Sequence, residues 1–115
     1  MKAVSFLTSS DRRLKTDLHI LDSALERILS LHGYDFLWQS DGRRDIGIIA
    51  QEVEAVFPDL VHTDPNTGLK SVQYPNLIAP MIEAIREQQS TISEQKSKID
   101  DLETRLHRIE VSLSR

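Results

Sequence analysis

The spacing of apolar residues changes several times along the chain, and each change marks a predicted element. Residues 1–16 show no helical period, which predicts an extended or looped lead-in. From Leu18 onward the apolar positions follow helical spacing, and Gly33 stands where a helix would stop. The pattern therefore predicts a first helix over residues 17–32.

Two stretches alternate apolar and polar residues around turn formers, which predicts two small β-hairpins. The first joins YDFLWQ to RRDIGIIA through a Ser-Asp-Gly turn, and the second runs from Leu60 to Tyr74 around Asp-Pro-Asn-Thr-Gly. Between them, IAQEVEAVFPDLV returns to helical spacing and predicts a short second helix that Pro58 ends. The predicted fold class is α+β, mainly α with small β-hairpins.

After Pro75 the pattern is helical to the last residue, and its apolar stripe repeats every seven residues from Ile78 over about five heptads. A small N-terminal part cannot cover a stripe of that length, so we expect the helix to pair with copies of itself. Isoleucine at position a with leucine or isoleucine at d favours three or more strands. A compact N-terminal part followed by a parallel trimeric coiled coil is predicted. The predicted trimer interface consists of Ile78, Ile85, Gln88, Ile92, Gln95, Ile99, Leu102, Arg105, Leu106, Ile109, Glu110 and Leu113.

Polar residues in this seam support three strands. Gln88 and Gln95 occupy d positions, where three amides can hydrogen-bond around a symmetric axis and fix the register. The stretch RLHRIE, from Arg105 to Glu110, resembles the Arg-apolar-x-x-apolar-Glu signature of trimeric coiled coils. The alternative is a long helix that packs on its own domain.

Composition excludes several function classes. A formal net charge of -4 with interspersed signs argues against a nucleic-acid surface, and the absence of cysteine excludes a thiolate site. No apolar run approaches the ~20 residues that span a bilayer. The four histidines lack metal-ligand spacing, and Pro75 stands where a calcium loop opening at Asp64 would need its glutamate. We therefore expect no metal, no cofactor, no nucleic acid and no membrane partner.

Ser10 and Lys15, five residues apart in LTSSDRRLK, have two interpretations. Serines and charges of this kind commonly form a turn or cap a helix. A serine beside a neutral lysine can also be a nucleophile with its base. The spacing alone is a weak argument for catalysis, since it is not a same-face separation on a helix or a strand, and the backbone would have to bend between the two residues.

Several stretches together resemble one family, the C-terminal intramolecular chaperone domain of bacteriophage tailspikes, tail fibres and neck appendages, of the endosialidase type, which also occurs in myelin regulatory factor. The matching stretches are SDRRLK at 10–15, IGIIAQEVEAVFPDLV at 46–61, KSVQYPNLIAPMIEAIRE at 70–87, and the terminal coiled coil. The resemblance implies a trimeric chaperone that assembles an upstream fibrous or β-helical part of the same precursor and then cuts itself off.

Carried onto this sequence, the resemblance implies that Ser10 is the nucleophile, Lys15 the base and Ser9–Ser10 the scissile bond. It divides the chain into an upstream remnant (1–9), a chaperone and autoprotease core (10–74) and a trimerising helix (75–115). It also implies that the domain acts in the host cytoplasm during virion assembly and is absent from the mature virion.

Two other functions fit parts of the sequence. One is a trimerisation module without catalysis, in which Ser10 and Lys15 only form a turn. The other is the autoprocessing domain of a membrane-anchored transcription factor, which would require a transmembrane segment downstream of VSLSR.

Overall fold

The computed structural model describes residues 7–114, so the predicted remnant 1–9 lies mostly outside the described residues. The α-helices are α1 (Ala24–Leu29), α2 (Ala50–Val56) and α3 (Ile78–Leu113), and the strands are β1 (Tyr34–Leu37), β2 (Arg44–Gly47), β3 (Val61–Thr63) and β4 (Lys70–Val72). Three 3-10 turns complete the order along the chain, at Arg12–Leu14, Pro58–Leu60 and Tyr74–Leu77. The predicted class, mainly α with small β-hairpins, is confirmed for this part of the chain.

Both predicted hairpins are present as separate antiparallel two-stranded sheets. In the first, β1 pairs with β2 from Tyr34 opposite Gly47 to Leu37 opposite Arg44. In the second, β3 pairs with β4 from Val61 opposite Val72. The short helix α2 and its end before Pro58 are also confirmed, because a 3-10 turn begins at that proline.

The first helix is shorter than the apolar spacing predicts. The prediction of a helix over 17–32 was wrong at both ends, since α1 ends at Leu29 with Ser30 as its C-cap. Its start is late because Asp17 (φ 55°) and Ser23 (φ 50°) both adopt the left-handed region. A right-handed helix cannot continue through such residues. Leu18, which suggested the earlier start, is 54% exposed and does not belong to the core.

The core is small and lies where α2 meets the start of α3. Its buried members are Val53, Phe57 and Leu77, surrounded by partly buried side chains from α1, from the second hairpin and from the residue that follows β2. The first turns of α3 also pack on α1, where Ala24 and Ala84 are both buried and their small side chains let the helices approach closely. The backbone N–H of Leu25 donates to the Glu87 carboxylate, which satisfies one free donor at the start of α1.

The long helix α3 has 36 residues, roughly 54 Å of rise, in a chain 79 Å in its longest dimension. Pro80 is its third residue, where a missing N–H removes no helical hydrogen bond. The apolar members of the predicted seam remain half or more exposed in the single chain, from 53% at Ile99 to 81% at Leu113. The helix is therefore as predicted, whereas its assembly into a trimeric coiled coil remains a prediction.

Candidate serine–lysine site

Ser10 and Lys15 lie side by side, with the Lys15 Nζ donating a hydrogen bond of 2.7 Å to the Ser10 Oγ. The 3-10 turn Arg12–Leu14 supplies the bend that their spacing requires. Both side chains are exposed in the single chain. A serine and an amine in direct contact are the two groups that a serine–lysine mechanism needs, although a hydrogen bond by itself does not make a serine reactive.

Asp11 holds this bend. Its carboxylate caps the turn by accepting a 2.8 Å hydrogen bond from the Arg13 backbone N–H. The Arg13 guanidinium also donates to both carboxylate oxygens, at 3.1 and 3.0 Å. The side-chain hydrogen bond from Arg13 and then the backbone hydrogen bond hold the pKa of Asp11 below its ordinary value of 3.8. Asp11 and Arg13 thus hold the turn between Ser10 and Lys15, and we call this pair the Asp11 clamp.

The site opens onto a cleft of about 810 Å³. Thr8, Ser9, Ser10 and Lys15 line part of it. The rest of the lining is largely apolar and comes mainly from residues 56–60, at the end of α2, and residues 75–82, at the start of α3. The predicted scissile bond therefore lies at a concave surface, the usual setting of a reactive site.

Arg27 is a cleft residue that the sequence analysis did not single out. Its guanidinium lies over the Phe57 ring at 4.8 Å and donates to the Val56 carbonyl at 3.4 Å. Both partners are about thirty positions away along the chain, so no local pattern could have pointed to this residue.

Tyr34 and Glu52 form a second polar contact that the sequence did not reveal. The Tyr34 hydroxyl donates to the Glu52 carboxylate at 2.6 Å. This hydrogen bond, with smaller contributions from desolvation and the carboxylate charge, raises the pKa of Tyr34 above its ordinary value of 10.0. Glu52 belongs to the IAQEVE stretch of α2, and its hydrogen bond with Tyr34 joins α2 to β1.

No three His, Asp or Glu side chains within residues 7–114 lie close enough together to hold a metal ion. Among the same residues, no helix combines the length and apolar character needed to cross a membrane.

Comparison of the sequence with known protein families finds similarity to a class of chaperones. A family model described as chaperone of endosialidase matches residues 10–62, which begin at the serine of the Ser10–Lys15 contact and end in β3. The matched segment, a little under half of the chain, is thus similar to the chaperone-of-endosialidase family.

Two relatives are long tail fibre proteins, each named Gp37. The one from Salmonella phage S16 is 38% identical over 73 residues, which cover 56% of this chain and 10% of that protein. The one from Escherichia phage AR1 is 34% identical over 87 residues, which cover 68% of this chain and 8% of that protein. The chain thus spans about a tenth of the length of these relatives.

Proposed function

We propose that this chain is an intramolecular chaperone that trimerises, guides the folding of an upstream phage fibre and then releases itself by cutting the Ser9–Ser10 bond. The match to the family model and the similarity to long tail fibre proteins support the chaperone role and the fibre as its client. The contact of 2.7 Å between Lys15 Nζ and Ser10 Oγ is the observation that supports self-cleavage. The domain would act in the host cytoplasm during virion assembly and would be absent from the mature virion.

The proposed cleavage starts with the Ser10 Oγ attacking the carbonyl carbon of Ser9. Lys15 accepts the hydroxyl proton as the new C–O bond forms, and it returns that proton to the Ser10 nitrogen as the C–N bond breaks. The product is an ester between the Ser9 carbonyl and the Ser10 Oγ. Water then hydrolyses this ester, which leaves a carboxylate on Ser9 and restores the Ser10 hydroxyl.

Lysine can accept that proton only in its neutral form, and removal from water favours the neutral form. Lys15 is exposed in the single chain. Leu14 beside it is 72% exposed, and Ile20 in the following segment is 85% exposed. In our proposal, neighbouring chains of the trimer cover this surface and desolvate the amine, so that cleavage follows assembly.

The proposed trimer explains how a helical domain could guide a fibre. Local helical contacts form faster than the long-range β pairing typical of fibres, so α3 would bring three chains into register first. Joining the three C-terminal ends raises the effective concentration of the upstream chains for one another. Cleavage then removes the registering element and leaves the fibre kinetically trapped.

Mass spectrometry under denaturing conditions tests self-cleavage, with the chain expressed behind its natural upstream segment. We expect wild type to yield a fragment that starts at Ser10, and Ser10→Ala or Lys15→Ala to remain uncut. Ser9→Ala is the matched control, because it removes a neighbouring hydroxyl but leaves the Ser10–Lys15 contact intact, and it should still be cut. Uncut wild type that is trimeric would instead identify a trimerisation module without catalysis.

A further inference from the structure

The cleft beside Ser10 and Lys15 reaches one flank of the exposed stripe on α3. Ile82 lines the cleft, is 51% exposed and occupies position e of the heptad that starts at Ile78. Positions e and g lie on opposite sides of the stripe formed by positions a and d. The single chain therefore leaves the cleft open on the e flank of α3.

The helix α1 lies toward the opposite flank. It packs on α3 where Ala84, at position g, is buried. Leu29 of α1 lines a second apolar groove together with Met81, and it is 66% exposed because its own chain covers little of it. Of the α1 side chains, Arg27 alone also lines the cleft. Each chain thus carries an open cleft on its e flank and an exposed leucine on its g flank.

The charges farther along α3 favour a parallel arrangement, in which these two flanks meet. In parallel coiled coils, charged residues at g of one helix pair with residues at e of the next helix. Opposite charges stand at g and at the e position five residues later twice in α3, as Lys98 with Glu103 and as Arg105 with Glu110. Arg105 also contacts Asp101 in its own chain at 3.2 Å, but both side chains stay more than half exposed. A cyclic trimer of parallel helices therefore places the e flank of every chain against the g flank of the next.

We propose that α1 of one chain covers the Ser10–Lys15 cleft of the next chain, with Leu29 packed against Ile82. The inference rests on the trimer proposed above and names the element that closes the site. Packed helices lie about 8–10 Å apart, so an α1 that packs on the g flank of its own α3 also lies beside the e flank of the next α3. The heights agree as well, because Leu29 shares its groove with Met81, the residue before Ile82, and parallel chains in register keep these residues at one level.

A cleft completed by a second copy explains why cleavage would follow assembly. In the single chain the cleft is open and Lys15 is exposed. Apolar cover from the neighbouring α1 would exclude water beside the amine, which favours its neutral form. A chain cannot supply this cover to itself, because Ala24 and Ala84 are buried where its own α1 packs on the other flank.

Disulfide trapping in the uncut Ser10→Ala chain tests the contact without any need for cleavage. The sequence has no cysteine, so chains with Leu29→Cys alone can be co-expressed with chains of different mass that carry Ile82→Cys alone. We expect a disulfide-linked pair of unequal chains, and none when Glu83→Cys takes the place of Ile82→Cys, because the next residue points about 100° away around the helix. Equal trapping at both positions, or none at either, would overturn the inference.

Cleavage kinetics in mixed trimers test whether α1 acts on the neighbouring site. Leu29 is mostly exposed in its own chain, so Leu29→Asp should leave that chain folded. Among excess Ser10→Ala chains, a cleavable Leu29→Asp chain should be cut within about twofold of the wild-type rate, because its neighbours supply Leu29. Among excess chains that carry both Ser10→Ala and Leu29→Asp, a cleavable chain with Leu29 should be cut about tenfold more slowly, because a carboxylate over the cleft favours charged Lys15.

The remaining outcomes separate the two proposals. Equal rates in the two mixtures, or the reverse pattern, would overturn the cover by a neighbouring α1 and leave self-cleavage standing. Wild type that stays uncut while Leu29→Cys and Ile82→Cys chains are trapped together would overturn self-cleavage and uphold the contact.

Discussion

The Arg27 guanidinium in α1 lies 4.8 Å from the centre of the Phe57 ring, at the C-terminal end of α2. The same side chain donates hydrogen bonds to the carbonyls of Val56 and Asp22, at 3.4 and 2.6 Å. Arg27 therefore ties the short helix α1, which has few buried residues of its own, to the wall of the cleft beside Ser10.

Replacing Arg27 by alanine should destabilise the fold. The variant loses the cation–π contact and two hydrogen bonds, so we expect the free energy of unfolding to fall by about 1–3 kcal/mol. Arg86→Ala is the control, because Arg86 is 75% exposed and its nearest acid, Glu83, is 4.0 Å away. Its effect should stay below about 0.5 kcal/mol in urea unfolding at the same chain concentration. Equal losses in the two variants would contradict this role of Arg27.

Gly47 is required by its neighbours in the first hairpin. A Cβ there would lie 2.9 Å from the Tyr74 hydroxyl oxygen and 3.3 Å from Phe36 Cε1. We expect Gly47→Ala to lower the free energy of unfolding by about 1–3 kcal/mol, because the Tyr74 ring must move and its hydrogen bond from the Ile48 N–H weakens. Gly33→Ala meets nothing within 4 Å and should change the thermal midpoint little, so a large loss there would contradict the packing argument.

The Asp11 clamp should depend on pH in a defined direction. The pKa of Asp11 is lowered in the folded chain, so the charged carboxylate stabilises the turn when the pH is above the ordinary pKa of 3.8. This stabilisation is lost as the pH falls through the folded pKa. Carbon-detected NMR titration should therefore place the Asp11 midpoint below 3.8.

Removing the Asp11 clamp should also slow cleavage at neutral pH. We expect Asp11→Ala to be cut more slowly, by roughly tenfold or less, because the turn that presents Lys15 to Ser10 loses its cap. Asp11→Asn keeps an oxygen that can accept from the Arg13 N–H and should recover most of the rate. If both variants were cut at the wild-type rate, the clamp would have no part in positioning the site.

The exposed stripe of α3 should control oligomeric state. Ile92 is 54% exposed in the single chain and occupies a central position of the predicted seam. A carboxylate there would be buried three times around one axis, so Ile92→Asp should convert trimer to monomer in sedimentation equilibrium. Ser97→Asp adds the same charge on the outer face of α3 and should leave the trimer intact. Trimers of both variants would contradict the predicted register.

Much of the fold could be predicted because its determinants are local. The turns at Gly42 (φ 72°) and Gly68 (φ 75°) place glycine where the backbone needs a positive φ, which is why both hairpins were visible in the sequence. The start of α1 was missed because Leu18 keeps helical spacing without packing into the core of its own chain.

The sequence by itself determined the helix α3 and the two hairpins, because periodicity and turn chemistry act over a few residues. A short motif also marked Ser10 and Lys15 as candidate catalytic residues. The bend between those two side chains was left open by the sequence, and the structure shows that the exposed, Asp11-capped turn at Arg12–Leu14 brings them to 2.7 Å. Only the tertiary structure decided that Arg27 and Phe57 stack, since that contact joins residues thirty positions apart. Packing of the short elements around the small core sets the Arg27–Phe57 distance, and no local pattern encodes it.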